Sequence, residues 1–450
     1  MKKRQFLSML CVVMICFAFS ACANLNRPSK SAPVTLNMWH NYGGEMQKTM
    51  DELIDEFNST VGAEQGINVT VTAISSSKEL NSSLDMIVND DPGAPEMPDI
   101  CTAYPKTAIK FQQKNKIADF NEYFTQEELS EYVFSFVEEG KIANGLYVFP
   151  LAKSTEILYL NQTLFDEFAD ATGAQENKLS TFEGIAELSK MYYDWTDSKT
   201  PEVPNDGKAF YTADSWFNIA QVGLRQKGDS LFNEENELNL DNDTYKHILN
   251  TFYTPAAEGG VAIYDGYSSD LSKTGDLVCS TGSSAGILFY GDTITTSDNV
   301  THKVKYSILP YPIVEGGEKV AIQRGSGIIV KKSEEKKEYA ASVFVKWLTA
   351  PKQNMKFISQ TGYLPVTKQA FEEDILKHID KVENERIKEM LAAVMQMYKD
   401  YTFFTAPTFA EFDNISQEYE EDFKKALSDA RQMRISGAET FVEEAFAKIK

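Results

Sequence analysis

VTLNMWHNYGGEMQKTMDELIDEF (34–57), followed by INVTVTAI (67–74), decides the fold of this chain. In VTLNMW apolar and polar residues alternate, the period of a strand with one buried face. Met46, Met50, Leu53, Ile54 and Phe57 then recur at helical spacing just after Gly43-Gly44, and INVTVTAI alternates again. Strand, helix and strand in this order make a β-α-β unit, whose parallel strands imply a doubly wound sheet with helices on both faces.

The same alternation runs outward from this unit. Pro98-Asp99-Ile100 leads into a short strand, and GLYVFPLA (145–152) and TEILYLN (155–161) read as two extended segments, each followed by a helix-like stretch. Residues 196–215 shift to Asp, Ser, Thr, Pro and Gly, the composition of a surface loop. Strands return in KVKYSILPYPIV and AIQRGSGIIV, on either side of a turn at Glu315-Gly316-Gly317. Ala341, Phe344, Val345 and Leu348 form an apolar helix face ending at Pro351, and the rest of the chain reads as helix, with no internal repeat.

Composition excludes several functions. With 44 Lys and Arg against 66 Asp and Glu, the chain carries a formal charge of -22, which repels nucleic acid and anionic lipid. His40, His247, His302 and His378 are scattered and there is no CxxC pair, so neither a metal site nor a cofactor is expected. Cys101 and Cys279 are expected to be separate buried thiols. A Walker A motif is absent, so the chain is not expected to hydrolyse ATP itself.

The N-terminus reads as an export signal. Lys2, Lys3 and Arg4 precede an apolar run from Phe6 to Phe19, and Ser20-Ala21 stand before Cys22. The run is about 14 residues, short of the roughly 20 that span a bilayer. The order FSAC resembles the bacterial lipoprotein box, so residues 1–21 are expected to be removed and Cys22 acylated, with 22–32 as a flexible tether. The mature protein is then expected outside the cytoplasm, lipid-anchored to the cell membrane.

WHNYGG (39–44), EFN (56–58), PDI (98–100), GLYVFPLAKST (145–155), LYLNQTLF (158–165) and TGYLPVT (361–367) occur in an order that resembles the extracellular solute-binding proteins of ABC importers, the sugar and glycerol-phosphate type. The resemblance implies a two-lobed periplasmic-binding-protein-like α/β fold of type II, with discontinuous lobes joined by a hinge and ligand captured in the cleft between them. One lobe would take 33–145 plus 303–338 and the other 150–300 plus 340–450. It also implies docking of a monomer on ABC permease subunits, and a small sugar or polyol phosphate as solute.

Within that family, GDLVCSTGSSAG (275–286), the RGSG turn (324–327) and Tyr363 look most like the glycerol-phosphate branch. Ser154, Ser283, Gly325 and Tyr363 are the ligand contacts this resemblance implies. Two departures argue for a neutral carbohydrate instead: Pro105 follows Tyr104 where the branch has an acid, and Asp413 is the best match where it has a phosphate-binding arginine. A carboxylate facing a phosphate in a poorly screened site is strongly unfavourable. Sugars present C-H faces ringed with hydroxyls, so flat aromatics beside polar groups suit them. Trp39, His40 and Tyr42 at the end of the first strand, with Tyr104, Tyr159 and Trp216, complete the candidates.

Catalysis is not expected. Gly282-Ser283-Ser284-Ala285-Gly286 fits G-x-S-x-G, with His302 and His378 later in the chain, and keeps a serine hydrolase as the rival reading.

Overall fold

The computed structural model describes residues 27–74, 76–409 and 411–449. The export signal, Cys22 and the first part of the tether lie outside the described residues, as does the side chain of His378. In chain order the strands that carry the architecture are β1 (Val34–His40), β2 (Ile67–Ala73), β3 (Ile100–Ala103), β4 (Phe149–Asn161), β5 (Tyr211–Ala213), β6 (Cys279–Ser283), β7 (Tyr306–Leu309), β8 (Val320–Val330) and β9 (Thr402–Thr405). The helices that matter here are α1 (Gly44–Phe57), α2 (Ser77–Asn89), α3 (Pro105–Gln113), α4 (Trp216–Gln226), α5 (Asp243–Glu258), α6 (Glu335–Leu348) and α7 (Phe412–Ile435).

The chain forms two compact units. The first holds the described residues up to Ala152 with Ser326–Phe357 and Pro365–Asp374, and the second holds Lys153–Gly325, Ile358–Leu364 and the residues from Ile375 onward. Residues 303–325, expected with the first lobe, cluster with the second unit. Residues 340–357 and 365–374, expected with the second lobe, cluster with the first. Periodicity could not reveal this, because the chain passes between units inside the continuous strands β4 and β8.

In the first unit β1 lies between β2 and β3 and is parallel to both, with Val34 opposite Ile67 and Met38 opposite Ile100. The end of β8 adds antiparallel to β3, from Gly327 opposite Ala103 to Val330 opposite Ile100. One group of side chains packs Trp39, Leu80, Leu84, Ile87, Phe111 and Ile329 together. Elsewhere in this unit Phe57 of α1 meets Phe344 and Trp347 edge-on, with ring centroids 5.0 and 5.4 Å away. α2 starts where Ser76 accepts the Glu79 amide, satisfying one of the free N–H groups of a first turn.

The tether's end belongs to this unit. Arg27 lies over the Tyr339 ring at 4.8 Å, and Lys336 donates to the Ala32 carbonyl at 2.8 Å. Gly66, at φ 71°, allows Ser29 so close that a Cβ there would fall 2.2 Å from its carbonyl oxygen. Polar composition suggested free chain for this segment; cation–π and backbone contacts instead hold it down.

In the second unit β6 runs parallel to β5 and antiparallel to β4, with Tyr211 opposite Cys279 and Glu156 opposite Ser283. β7 flanks β4 on its other side, and the start of β8 pairs in parallel with β9. Trp216 stacks on Phe423 of α7 at 5.3 Å and meets Phe252 of α5 edge-on at 5.2 Å. The two extended segments read at 145–152 and 155–161 prove to be largely one strand, β4, buried at every one of its 13 positions. The RGSG segment is no turn: it lies inside β8, with Gly325 at φ 110°. Cys101 and Cys279 are buried and unbridged.

Phe57 is fully buried between two aromatic partners, so Phe57→Ala should leave a cavity that the surrounding rings fill only in part. Urea unfolding should show a loss of about 3–5 kcal/mol.

Candidate functional site

Ligands of open α/β sheets bind beyond the carboxyl ends of parallel strands, where each strand turns into its helix. In the first unit that edge carries His40, Asn41 and Tyr42 after β1 and Tyr104 after β3. The His40 ring is fully buried, and its Nδ1 accepts the Tyr42 amide at 3.2 Å. Burial lowers its pKa to about 4, so the ring is neutral and its proton sits on Nε2, which is buried with no hydrogen-bond partner. Asn41 donates to Ser77 Oγ at 2.6 Å and accepts from Thr102 at 3.5 Å. The Tyr42 ring packs against His40 and, edge-on, against Phe357. Gly43 and Gly44 leave open space, since a Cβ on either would meet nothing within 4 Å, and Gly44 sits at φ 57°. Tyr104 is partly exposed at the start of α3, with the Lys106 ammonium 5.7 Å above its ring.

The second unit has the richer edge. β5 ends at Ala213, and Asp214-Ser215 form the turn into α4. Asp214 Oδ1 accepts the Ser268 amide at 2.8 Å, while its own N–H donates to the Thr281 carbonyl of β6 at 2.9 Å. Ser215 caps α4 by accepting the Asn218 amide, and Glu420 of α7 accepts from Ser215 Oγ at 2.6 Å and from the Phe217 amide at 2.9 Å. A carboxylate there is favoured by the free N–H groups and positive end of the helix.

Behind this turn, Glu156 projects from β4 with 1% exposure. Its Oε1 accepts from Asn218 Nδ2 at 2.8 Å and from the Arg324 guanidinium of β8. Asn218 in turn accepts from Gln221 at 2.7 Å, and the Gln221 carbonyl oxygen is buried without a partner. Arg324 keeps 34% of its side chain exposed while its guanidinium donates to Glu156. Burial pushes both Glu156 and Asp214 above the usual carboxylate range; Arg324 opposes the shift at Glu156, and the Ser268 hydrogen bonds oppose it at Asp214. The arrangement presents planar acceptors and donors already oriented by one another.

The structure redistributes the expected contacts. Trp39 belongs to the core of the first unit and Trp216 to that of the second; both indole N–H groups are buried without partners, and neither ring is free to stack on a solute. Ser154 is buried within β4. Ser283 is partly exposed at the end of β6, where its Oγ accepts the Ala285 amide and its carbonyl accepts the Tyr159 hydroxyl. Tyr363 is partly exposed, and Gly325 supplies the left-handed backbone of β8 beside Arg324. Asp413 lies in the first turn of α7. Ser284, the candidate nucleophile, is fully buried with Oγ accepting the Thr155 amide, whereas a nucleophile elbow exposes its serine. Among the described residues no group of three His, Cys, Asp or Glu could hold a metal ion.

Glu156, Asp214, Asn218 and Arg324 escaped the sequence reading. The signals were present: a carboxylate inside the apolar run of β4, and an Asp-Ser pair between a strand and a helix.

A raised folded-state pKa means that protonation favours the folded form, so the stability governed by Glu156 is greatest at acid pH and is lost as pH rises through its raised value. Glu156→Gln cannot titrate. In melts from acid to neutral pH, its melting temperature should therefore rise relative to that of the unsubstituted protein as pH increases. Arg324→Ala should cost about 1–3 kcal/mol by stranding the buried carboxylate, and adding Glu156→Gln should recover part of that loss.

The comparisons agree with this architecture. No curated protein matches the chain in sequence. In structure it is similar to a cyclic alpha-maltosyl-1,6-maltose binding protein from Arthrobacter globiformis, at a TM-score of 0.69 and 17% identity over 93% of this chain and 97% of that one. It is also similar to UgpB from Mycobacterium tuberculosis in complex with glycerophosphocholine (TM-score 0.70, 18% identity, 92% and 96% covered) and to maltose-bound T. maritima MalE3 (0.68, 15%, 92% and 97%). At such identities these likenesses establish the fold. The sequence profile described as bacterial extracellular solute-binding protein matches residues 52–383, well over half of the chain. This protein therefore belongs to the bacterial extracellular solute-binding proteins.

Proposed function

We propose that this protein captures a carbohydrate outside the cytoplasm and delivers it, as a monomer, to the permease subunits of an ABC importer, held to the membrane by a lipid on Cys22. The family supplies solute binding and the extracytoplasmic location. Among the described residues no helix is long and apolar enough to cross a membrane. The sequence of residues 1–22 supports the lipid anchor.

The observation that carries the carbohydrate reading is the network of Glu156, Asn218, Asp214 and Arg324. A sugar hydroxyl both donates and accepts, and oriented carboxylates, an amide and a guanidinium match it without adding net charge to the solute. Glu156 already pairs with the one guanidinium among them, which leaves little counter-charge for a phosphate dianion. This supports a neutral solute more firmly than Asp413 does. Ser283 and Tyr363 complete the contacts we assign to the second unit. The proteins of known structure that resemble this one include binders of maltose and a maltosyl-maltose.

Glycerol phosphate or a glycerophosphodiester is the second reading. It is favoured by the exposed part of Arg324 and by the likeness to a glycerophosphocholine complex. A serine hydrolase has little support, given the burial of Ser284.

A thermal-shift panel of residues 23–450 with maltose, maltotriose, xylotriose, glycerol 3-phosphate and glycerophosphocholine tests these readings. A saccharide at about 100 times its dissociation constant should stabilise the protein by roughly 2.7 kcal/mol, a rise of a few degrees in melting temperature. Asp214→Asn or Arg324→Ala should weaken that response. A shift with the two phosphate compounds alone would overturn the carbohydrate reading.

A further inference from the structure

Phe134 is the most exposed large apolar side chain among the described residues, at 71%, and it stands at a hollow of about 570 Å³ in the first unit. Leu129 and Val137 line the hollow with it, and Gln126, Lys141 and Lys368 are among its polar groups. No residue of the two carboxyl edges takes part. A single exposed ring is ordinary, but a ring in a concavity of this size beside a few polar groups has the make-up of a small-molecule site.

The walls of the hollow are fixed by the fold. The short helix Gln126–Ser130 opens on a reciprocal cap, in which Thr125 Oγ1 accepts the Glu128 amide and Glu128 accepts the Thr125 amide. Lys346 of α6 donates to the same carboxylate at 2.5 Å. Tyr132 is buried and its hydroxyl shares a 2.7 Å hydrogen bond with Thr349, while the Lys368 amide donates to the Glu131 carbonyl at 2.9 Å. Ala143, also at the hollow, stands at the tip of the two-residue hairpin that joins Lys141–Ile142 to Gly145–Leu146, with φ 52°. Residues with a side chain seldom adopt that backbone, and such strain gathers at binding sites. Two groups are then left unanswered. Phe134 keeps its ring in water, and the Lys368 ammonium has no ion pair among the described residues, whereas Lys141 is paired with Glu138. In a chain with 66 Asp and Glu against 44 Lys and Arg, a cation is not left unpaired for want of acids.

We propose that this hollow is a second binding site, for a small aryl carboxylate, with Lys368 pairing the carboxylate and Phe134, Leu129 and Val137 covering the ring. A charge-assisted hydrogen bond from the ammonium fixes one end of the ligand, and ring against ring removes apolar surface of both from water. Neither half suffices alone: acetate brings no apolar surface and benzyl alcohol no charge. The site is separate from the solute site and does not depend on which solute that site takes.

Isothermal titration with phenylacetate, acetate and benzyl alcohol at constant ionic strength tests this. Phenylacetate should bind about tenfold more tightly than either of the others. Lys368→Gln and Phe134→Ala should each weaken it about five- to tenfold, and Lys368→Arg should retain it. Both side chains are exposed, so the melting temperature without ligand should not change in any of these variants. In NMR spectra, bound phenylacetate should show nuclear Overhauser contacts to the Phe134 ring that vanish in Phe134→Ala. Phenylacetate that binds no better than acetate, or equally well in Lys368→Gln and Phe134→Ala, overturns the site, as do contacts that survive Phe134→Ala.

Discussion

A strand buried at all its positions has little room for charge, and β4 carries Glu156 at its centre. An isolated carboxylate there would shed its proton only at great cost, so its surroundings have to answer it. Arg324 arrives from β8, Asn218 from the first turn of α4, and Gln221 orients Asn218 from one turn on. The register of β4 with β6 places Ser283 opposite Glu156, and the parallel pairing of β6 with β5 brings Asp214 to the same edge. Much of the local geometry of the second unit follows from satisfying one side chain.

This explains why polar groups that look costly are gathered together. Ion pairs in an interior seldom stabilise a fold as well as apolar packing of the same volume would. Their use lies in being held still before a partner arrives, so that little ordering remains to be done on binding. Glu420 at the start of α4 acts similarly, fixing the turn on which Asp214 and Ser215 stand.

The sheet, its helices and their order were legible because parallel strands and amphipathic helices leave periodic marks: Val34 to Phe57 forms the strand and helix that its pattern implies. The division of the chain into units was not, because β4 and β8 each pass through a boundary without a break in hydrophobic pattern. At the carboxyl edges of the strands the sequence pointed to His40 and Tyr42 but not to the network around Glu156. Trp39 and Trp216 were attractive as large aromatics, but ring size alone cannot separate a stacking surface from a core. Glu156 and Arg324 lie 168 positions apart, and only the fold makes them neighbours.

The docking of Arg27 to Ala32 onto the first unit bears on how the protein would live at a surface. With Cys22 acylated, only the few residues between it and Arg27 separate the lipid from a folded body, a reach of at most about 17 Å when fully extended. A leash that short acts as a swivel rather than a long line. With the lipid proposed for Cys22, it would keep the body close above the bilayer, limit the directions it can face, and raise its local concentration toward any partner embedded nearby. The acidic surface of such a body would also be pushed off anionic headgroups.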